Sequence, residues 1–264
     1  MLINKIISGA FRLILISMIV VNYIYFIFYN WLPLTIHHNS AWIIIFLFHL
    51  IIILLIWCIL VTSTSDPGQV PFYWGFYMGD PDNKRRRYCL MCNVFKPERC
   101  HHCSICNRCV LNMDHHCPWI DNCIGFFNRK YFIQMLFYMN LILFYILISN
   151  SKFTFDIIIR IYKNRVNIRH ELKENLGHLF VYSVDIVAQI IIALFFKFHL
   201  NLVLENKTTI ETIDKKGEKY DSVYNRGVYN NWTQVMGTSK LLWFMSLKIY
   251  LGLPKGNGID WQEQ

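Results

Sequence analysis

Apolar positions gather in four long runs rather than spreading along the chain. They are residues 10–31 (AFRLILISMIVVNYIYFIFYNW), 41–62 (AWIIIFLFHLIIILLIWCILVT), 131–150 (YFIQMLFYMNLILFYILISN) and 178–203 (HLFVYSVDIVAQIIIALFFKFHLNLV). A bilayer core takes roughly 20 apolar residues in a helix, and a buried helix of a soluble protein rarely runs so far without charge. The pattern therefore predicts four transmembrane helices. The first run is too long for the apolar part of a signal peptide, and no small-residue cleavage site follows it, so it reads as a retained anchor. Around these runs the chain divides at 1–83, 84–130, 131–204 and 205–264. The fold class expected is an all-α, polytopic membrane protein with a small cysteine-rich domain between helices 2 and 3.

Charge adds an orientation. The chain is 55% hydrophobic and carries a formal net charge of +9. Basic charge beside long apolar runs marks a cytoplasmic membrane face more often than a nucleic-acid partner. The first connection (WLPLTIHHNS) has no Lys or Arg, whereas 63–130 carries Lys84, Arg85, Arg86, Arg87, Lys96, Arg99, Arg108, Arg129 and Lys130. The tail adds Lys207, Lys215, Lys216, Lys219 and Arg226. Four spans put the amino terminus, the central segment and the tail on one side, the cytosol. The connection between the third and fourth spans resists this, since it holds Lys152, Arg160, Lys163, Arg165, Arg169 and Lys173. Span parity and the chemistry of the central segment outweigh it.

That chemistry is concentrated. Eight of the nine cysteines lie between Cys89 and Cys123, together with four histidines. In a reducing cytosol such clusters are metal ligands or nucleophiles rather than disulfides. The segment repeats with a period of fourteen residues. Cys89, Cys92, His102 and Cys109 are spaced C-x2-C-x9-H-x6-C, and Cys103, Cys106, His116 and Cys123 repeat that spacing. Three thiolates and an imidazole close a tetrahedral zinc shell with no open position, as structural sites require. Such a site supplies on the order of 10 kcal/mol of folding energy to a segment with little other core. The period alone leaves two alternatives open. His101 and His115 are also fourteen apart, and Cys89, Cys92, Cys106 and Cys109 would make an all-thiolate site.

Four groups remain once the ligands are removed: Cys100, His101, His115 and Cys117. The triplet His-His-Cys occurs at 101–103 and at 115–117. In the second copy Cys117 would open a third site, but Ile120 stands where its partner should be. Its neighbours are His115 and Asp114. A free thiol of pKa ~8.5 is only slightly ionised at pH 7, and an adjacent imidazole increases the thiolate. Cysteine, histidine and an orienting carboxylate form the minimal nucleophile set.

The stretch CLMCNVFKPERCHHCSICNRCVLNMDHHCPWIDNCIGFFN resembles the cysteine-rich domain of the DHHC protein S-acyltransferases, or palmitoyltransferases. Three further landmarks of that family occur in order. They are Asp66-Pro67-Gly68 after the second span, Thr208-Thr209-Ile210-Glu211 after the fourth, and NNWTQVMG, which contains Asn231. The resemblance implies four transmembrane helices with the zinc domain on the cytosolic face. It implies two structural zincs, one on Cys89, Cys92, His102 and Cys109 and one on Cys103, Cys106, His116 and Cys123. It makes Cys117 the acyl-accepting nucleophile, His115 its general base and Asp114 the residue that orients His115. The cosubstrate implied is acyl-CoA, palmitoyl-CoA in particular, and the acceptors are cysteine thiols of cytosolic or membrane-associated proteins. The reaction implied has two steps through an acyl-Cys117 intermediate, in an endomembrane (Golgi or ER) or the plasma membrane.

A thioester exchanged for a thioester is nearly isoenergetic, so the barrier lies in placing thiolates. A long acyl chain favours the bilayer by about 0.8 kcal/mol per methylene, which suits an acyl cavity built among membrane helices. Trp119 is an amphipathic aromatic fit for that interface. Arg85, Arg86, Arg87, Lys96, Arg99, Arg129 and Lys130 are candidates to attract CoA phosphates, or anionic lipid. Asp185 lies inside the fourth run, where a carboxylate is expensive and faces the bundle interior. LLWFMSLKIYLGLP, near the end, is too short to span and is expected at the interface or against the zinc domain. A zinc scaffold or a ubiquitin ligase of the RING kind would use the same metal count but would have no use for Cys117. A nucleic-acid reader would need a different ligand order.

Overall fold

The computed structural model describes residues 2–75, 87–163, 168–215, 220–247 and 252–261. Four long helical segments carry the apolar runs. Helix α1 (Leu2–Ile24) continues through a widened turn at Tyr25–Trp31 into a tight turn at Leu32–Ile36, where Pro33 cannot extend regular helix. Helix α2 spans Ser40–Thr64, α3 spans Arg129–Lys163 and α4 spans Ile168–Leu204. All are long and apolar enough to cross a membrane, so the chain is a multi-pass membrane protein.

The basic connection between the third and fourth spans is largely helical. Helices α3 and α4 are 35 and 37 residues long, about 50 Å each at 1.5 Å per residue, against a hydrocarbon core of about 30 Å. Charge stops a segment from lying in lipid, but it does not stop a helix in water. The basic residues Lys152, Arg160, Lys163, Arg169 and Lys173 therefore ride on helical extensions, where Arg160 Nε faces Glu171 Oε2 at 3.7 Å. Arg165 lies outside the described residues.

Contacts divide the chain into two compact units. One comprises Ile14–Ile56 and Leu136–Lys197. Inside it Phe26 stacks on Phe48 with centroids 4.1 Å apart, and Trp31 Nε1 donates to Asn150 Oδ1 at 3.0 Å. The other comprises Met1–Leu13, Trp57–Met135 and Phe198–Gln264, and holds the cysteine-rich segment.

That segment is built from three two-stranded antiparallel hairpins in one register. Strands β1 (Tyr88–Cys89) and β2 (Val94–Phe95) pair Cys89 with Val94. Strands β3 (His101–Cys103) and β4 (Arg108–Val110) pair Cys103 with Arg108. Strands β5 (His115–Cys117) and β6 (Asn122–Ile124) pair Cys117 with Asn122. Each step is fourteen residues, so the sequence repeat is a structural repeat. The turns repeat too. Asn93, Asn107 and Asp121 adopt φ of 53°, 52° and 51°, a left-handed conformation that Asn and Asp tolerate best after glycine. Among the described residues these hairpins are the only strands in a helical protein.

The family-like landmarks clamp this unit together. Asp66 Oδ1 accepts from Gly68 N at 2.9 Å and from Arg108 Nη2 at 2.7 Å. The carbonyls of Pro67 and Gly68 accept from Phe127 N and Leu111 N. Gly68 has φ +121°, and a Cβ there would lie 3.1 Å from Leu111 Cβ. Thr208 caps helix α5 (Thr209–Asp214) in a reciprocal box with Glu211. Asn231, on helix α6 (Val228–Met236), donates to Leu204 O at 2.7 Å and accepts from Arg226 N, tying α6 to the end of α4. The apolar run near the end packs inward at Leu242, while Gln134 donates to Trp243 O at 2.9 Å.

Candidate metal centres and active site

Hairpin geometry sorts the cysteines. In each of the first two hairpins the turn presents a Cys-x2-Cys knuckle: Cys89 and Cys92, then Cys103 and Cys106. The partner of each knuckle is a cross-strand His–Cys pair from the next hairpin, His102 opposite Cys109 and His116 opposite Cys123. The ligand atoms of each set lie within 4.8 Å of one another, so both sets are able to hold a metal ion. The alternatives left open by the period are not what the chain assembles. His102 Nδ1 lies 3.2 Å from Cys92 Sγ, and His116 Nδ1 lies 3.4 Å from Cys106 Sγ.

The third hairpin departs from the rule at two points. Its knuckle reads Cys117-x2-Ile120, with Ile120 buried. The next His–Cys pair does not exist, because the chain enters helix α3 at Arg129. Cys117 thus occupies a metal-ligand position in the register but belongs to neither metal set.

Around it stand a buried acid and a partly buried imidazole. Asp114 is fully buried, and its backbone N donates to Ile124 O at 2.8 Å. Its Oδ2 accepts from His115 Nδ1 at 2.7 Å and from Thr209 Oγ1 at 2.8 Å, and its Oδ1 accepts from Thr209 N at 3.0 Å. Arg129 Nη2 stands 3.4 Å from Oδ1. Burial by itself would push the Asp114 carboxyl up, but the Arg129 guanidinium and the bond from His115 hold it well below the usual carboxylate range. For His115, burial opposes the imidazolium. Hydrogen bonds to Asp114 and Cys117 more than offset it and raise the imidazole to about 9. Cys117 is 4% exposed.

One group here escaped the sequence reading. His199, on α4, places Nδ1 3.7 Å from Asp114 Oδ2 and its ring 5.3 Å from the His115 ring. With Asp114 and His115 it forms a third set of clustered donors, but Thr209 and His115 already occupy the carboxylate oxygens. It sits in an apolar run, and the only available signal was its position ten residues before Thr209.

Several basic residues expected at CoA phosphates are instead committed inside the fold. Arg99 is 4% exposed, forks onto Glu211 at 2.7 and 2.9 Å, and lies 4.4 Å from both the Tyr224 and the Trp261 ring centroids. Arg129 Nη2 donates to Lys207 O at 2.6 Å, and Lys130 Nζ donates to Gly252 O at 2.7 Å. Arg87 and Lys96 are more open, with Arg87 Nη2 on Pro97 O, and Arg85 and Arg86 lie outside the described residues. Trp119 is 38% exposed; Phe11 meets its ring edge-on at 4.7 Å, and Arg12 faces Asp121 at 3.3 Å.

Comparison with known proteins covers the segment that holds these residues. Residues 82–216 match the family model described as DHHC palmitoyltransferase. The chain is similar to the probable protein S-acyltransferase 12 of Arabidopsis thaliana, with 31% identity over 90% of this chain and 87% of that protein. It is also similar to palmitoyltransferase PFA3 of Debaryomyces hansenii, at 35% identity over 72% of this chain and 50% of the relative. That alignment thus spans half the relative's length. Palmitoyltransferase pfa3 of Schizosaccharomyces pombe is 35% identical over 80% of this chain and 64% of its own length. A paired knuckle array, an acid–imidazole pair beside a cysteine outside both metal sets and matches of this extent have one explanation: the chain belongs to the DHHC palmitoyltransferase family.

Proposed function

We propose that this protein is an integral membrane S-acyltransferase that moves a long-chain acyl group, palmitoyl, from acyl-CoA to cysteine thiols of other proteins through an acyl-Cys117 intermediate. The observation that carries this is Cys117 itself. It stands in a knuckle lacking its second ligand, two residues from an imidazole that a buried carboxylate holds.

In the first step Cys117 Sγ attacks the thioester carbonyl carbon. The new C–S bond replaces the bond to CoA, and the CoA thiolate leaves. His115 holds the proton from Cys117 and returns it to the departing thiolate. Hydrogen bonds to Asp114 and Cys117 raise His115 to about 9, so an imidazolium that holds the transferred proton is favoured. In the second step the thiol of a protein acceptor gives its proton to His115 and takes the acyl group, which frees Cys117. Asp114, clasped by Thr209, fixes the His115 tautomer and stabilises its cation.

The metal sets fit zinc. A tetrahedral shell with bonds of about 2.0–2.3 Å places neighbouring ligand atoms about 3.5–3.8 Å apart. Cys89 Sγ lies 3.6 Å from His102 Nδ1 and Cys123 Sγ lies 3.7 Å from His116 Nδ1, while Cys92 Sγ–His102 Nδ1 at 3.2 Å and Cys106 Sγ–His116 Nδ1 at 3.4 Å are closer by a few tenths of an ångström. When bound, zinc would hold the hairpins rigid and take no part in bond breaking. The chain faces its hairpin unit to the cytosol of an endomembrane or the plasma membrane, where acyl-CoA and protein thiols are present. Arg87, Lys96 and Trp119 are the described residues left to meet the CoA head and the acyl entry.

A pulse–chase experiment on the purified chain tests this reading. Labelled palmitoyl-CoA alone should give hydroxylamine-labile label on Cys117 with release of one CoA per acyl group. Chasing with a cysteine peptide should move that label onto the peptide. Transfer to peptide with no labelled enzyme at any time would contradict the two-step route.

A further inference from the structure

We propose that the membrane-embedded unit holds a monovalent cation of sodium's size at Asp185. The inference is independent of the acyl-transfer chemistry.

Asp185 lies on α4 and is 1% exposed. Among the described residues neither carboxylate oxygen has a hydrogen-bond partner. Asn22 faces it with an amide that gives one Nδ2 hydrogen to Met18 O at 3.1 Å and keeps the other on the carboxylate side, a neutral donor that supplies no counter-charge. Beside the carboxylate is a small, partly open cleft with room for about 10 Å³, the space one water or one small ion needs. Its polar walls are Asn22, Asn30, Asn150, His178, Tyr182 and Asp185, drawn from the α1 segment, α3 and α4; no Lys or Arg lines it.

The walls offer oxygen lone pairs as well as the amide donors of Asn22, Asn30 and Asn150. The Tyr182 hydroxyl gives its hydrogen to Leu147 O at 3.1 Å, which leaves its oxygen as an acceptor. Asn150 Oδ1 accepts one bond, from Trp31 Nε1, and has a second lone pair. His178 Nε2 is paired with Thr154 Oγ1 at 2.8 Å. A carboxylate inside a membrane bundle needs a counter-charge. A ring of oxygen acceptors is what a hard cation binds. One carboxylate neutralises one positive charge, which favours a monovalent ion over a divalent one. The small cavity favours sodium over potassium.

The test uses the full chain purified in detergent, with thermal unfolding followed in sodium, potassium and choline chlorides at equal ionic strength. The expected result is a wild-type midpoint several degrees higher in sodium than in choline, rising with the logarithm of sodium concentration, as ligand linkage requires. Asp185→Asn should show the same midpoint in all three salts. Equilibrium binding of radioactive sodium should give about one ion per wild-type chain and none for Asp185→Asn. Equal wild-type midpoints in sodium and choline, or no bound sodium, would overturn the proposal and assign the counter-charge to a proton on Asp185. Should Asp185→Asn not fold, sodium binding to the wild type decides the matter alone.

Discussion

The hairpins at 101–110 and 115–124 share one plan and one register, yet their first residues diverge in charge. The earlier opens Cys100-His101-His102-Cys103, and the later opens Asp114-His115-His116-Cys117. Cys100 is fully buried, which pushes its thiol up to about 11, so it brings no negative charge to His101. Burial and the Arg87 charge push His101 down. In the later hairpin a carboxylate replaces that thiol, and His115 rises to about 9. The knuckles diverge as well. Cys103 has Cys106 beside it and joins a metal set, whereas Cys117 has Ile120. On the reading proposed above, two changes turn a structural ligand position into a nucleophile: one ligand deleted and one charge added.

The comparison can be broken most severely at Cys103. Cys103→Ser should lose one metal per chain and with it much of the fold of the hairpin unit, since such sites contribute on the order of 10 kcal/mol. Metal content and the thermal midpoint measure this; full metal content would move Cys103 out of the ligand set. A smaller effect is expected at His115. His115→Ala should retain both metals and slow acylation by about 100- to 10,000-fold, the usual worth of a general base. Single-turnover labelling measures it, and loss of a metal in that variant would make His115 the ligand. Smaller still is a change that sharpens the contrast. Ile120→Cys restores the missing knuckle partner, so micromolar zinc should inhibit this variant at least ~10-fold more than wild type, with reversal by a chelator. Equal inhibition of both would mean that Ile120 does not keep metal away from Cys117.

The smallest effect is in pH. The folded His115 titrates about 9, above the ~6.5 of an unfolded histidine. Its stabilising contribution is therefore complete below pH ~6.5 and lost as pH rises through 9. The difference in midpoint between wild type and His115→Gln should shrink across that window; a constant difference would contradict the placement of its charge.

Much of this was legible in sequence because the repeat is written in ligand types. Cys89, Cys103 and Cys117 are fourteen apart in sequence, and the hairpins keep that step in space. Spans were legible because lipid demands long apolar runs. Where those runs end, apolarity says nothing of helix. Residues 151–163 and 168–177 are charged, and hydropathy reads them as a connection although the backbone stays helical. Arg99 read as a surface cation because sequence does not display partners 107 to 112 residues away; Asn206 and Glu211 bury it. Asn122 was silent for the same reason, yet its side chain collects the carbonyls of Thr62, Ser63 and Ser65 at the end of α2.

The central claim is that the sulfur at 117 carries the acyl group and binds no metal. It is tested most directly by comparing wild type with Cys117→Ser, scoring acyl-CoA labelling and zinc content on the same preparations. The expected result is hydroxylamine-labile label on wild type, none on the variant, and two zincs on each. Equal labelling, or a variant one zinc short, would contradict it.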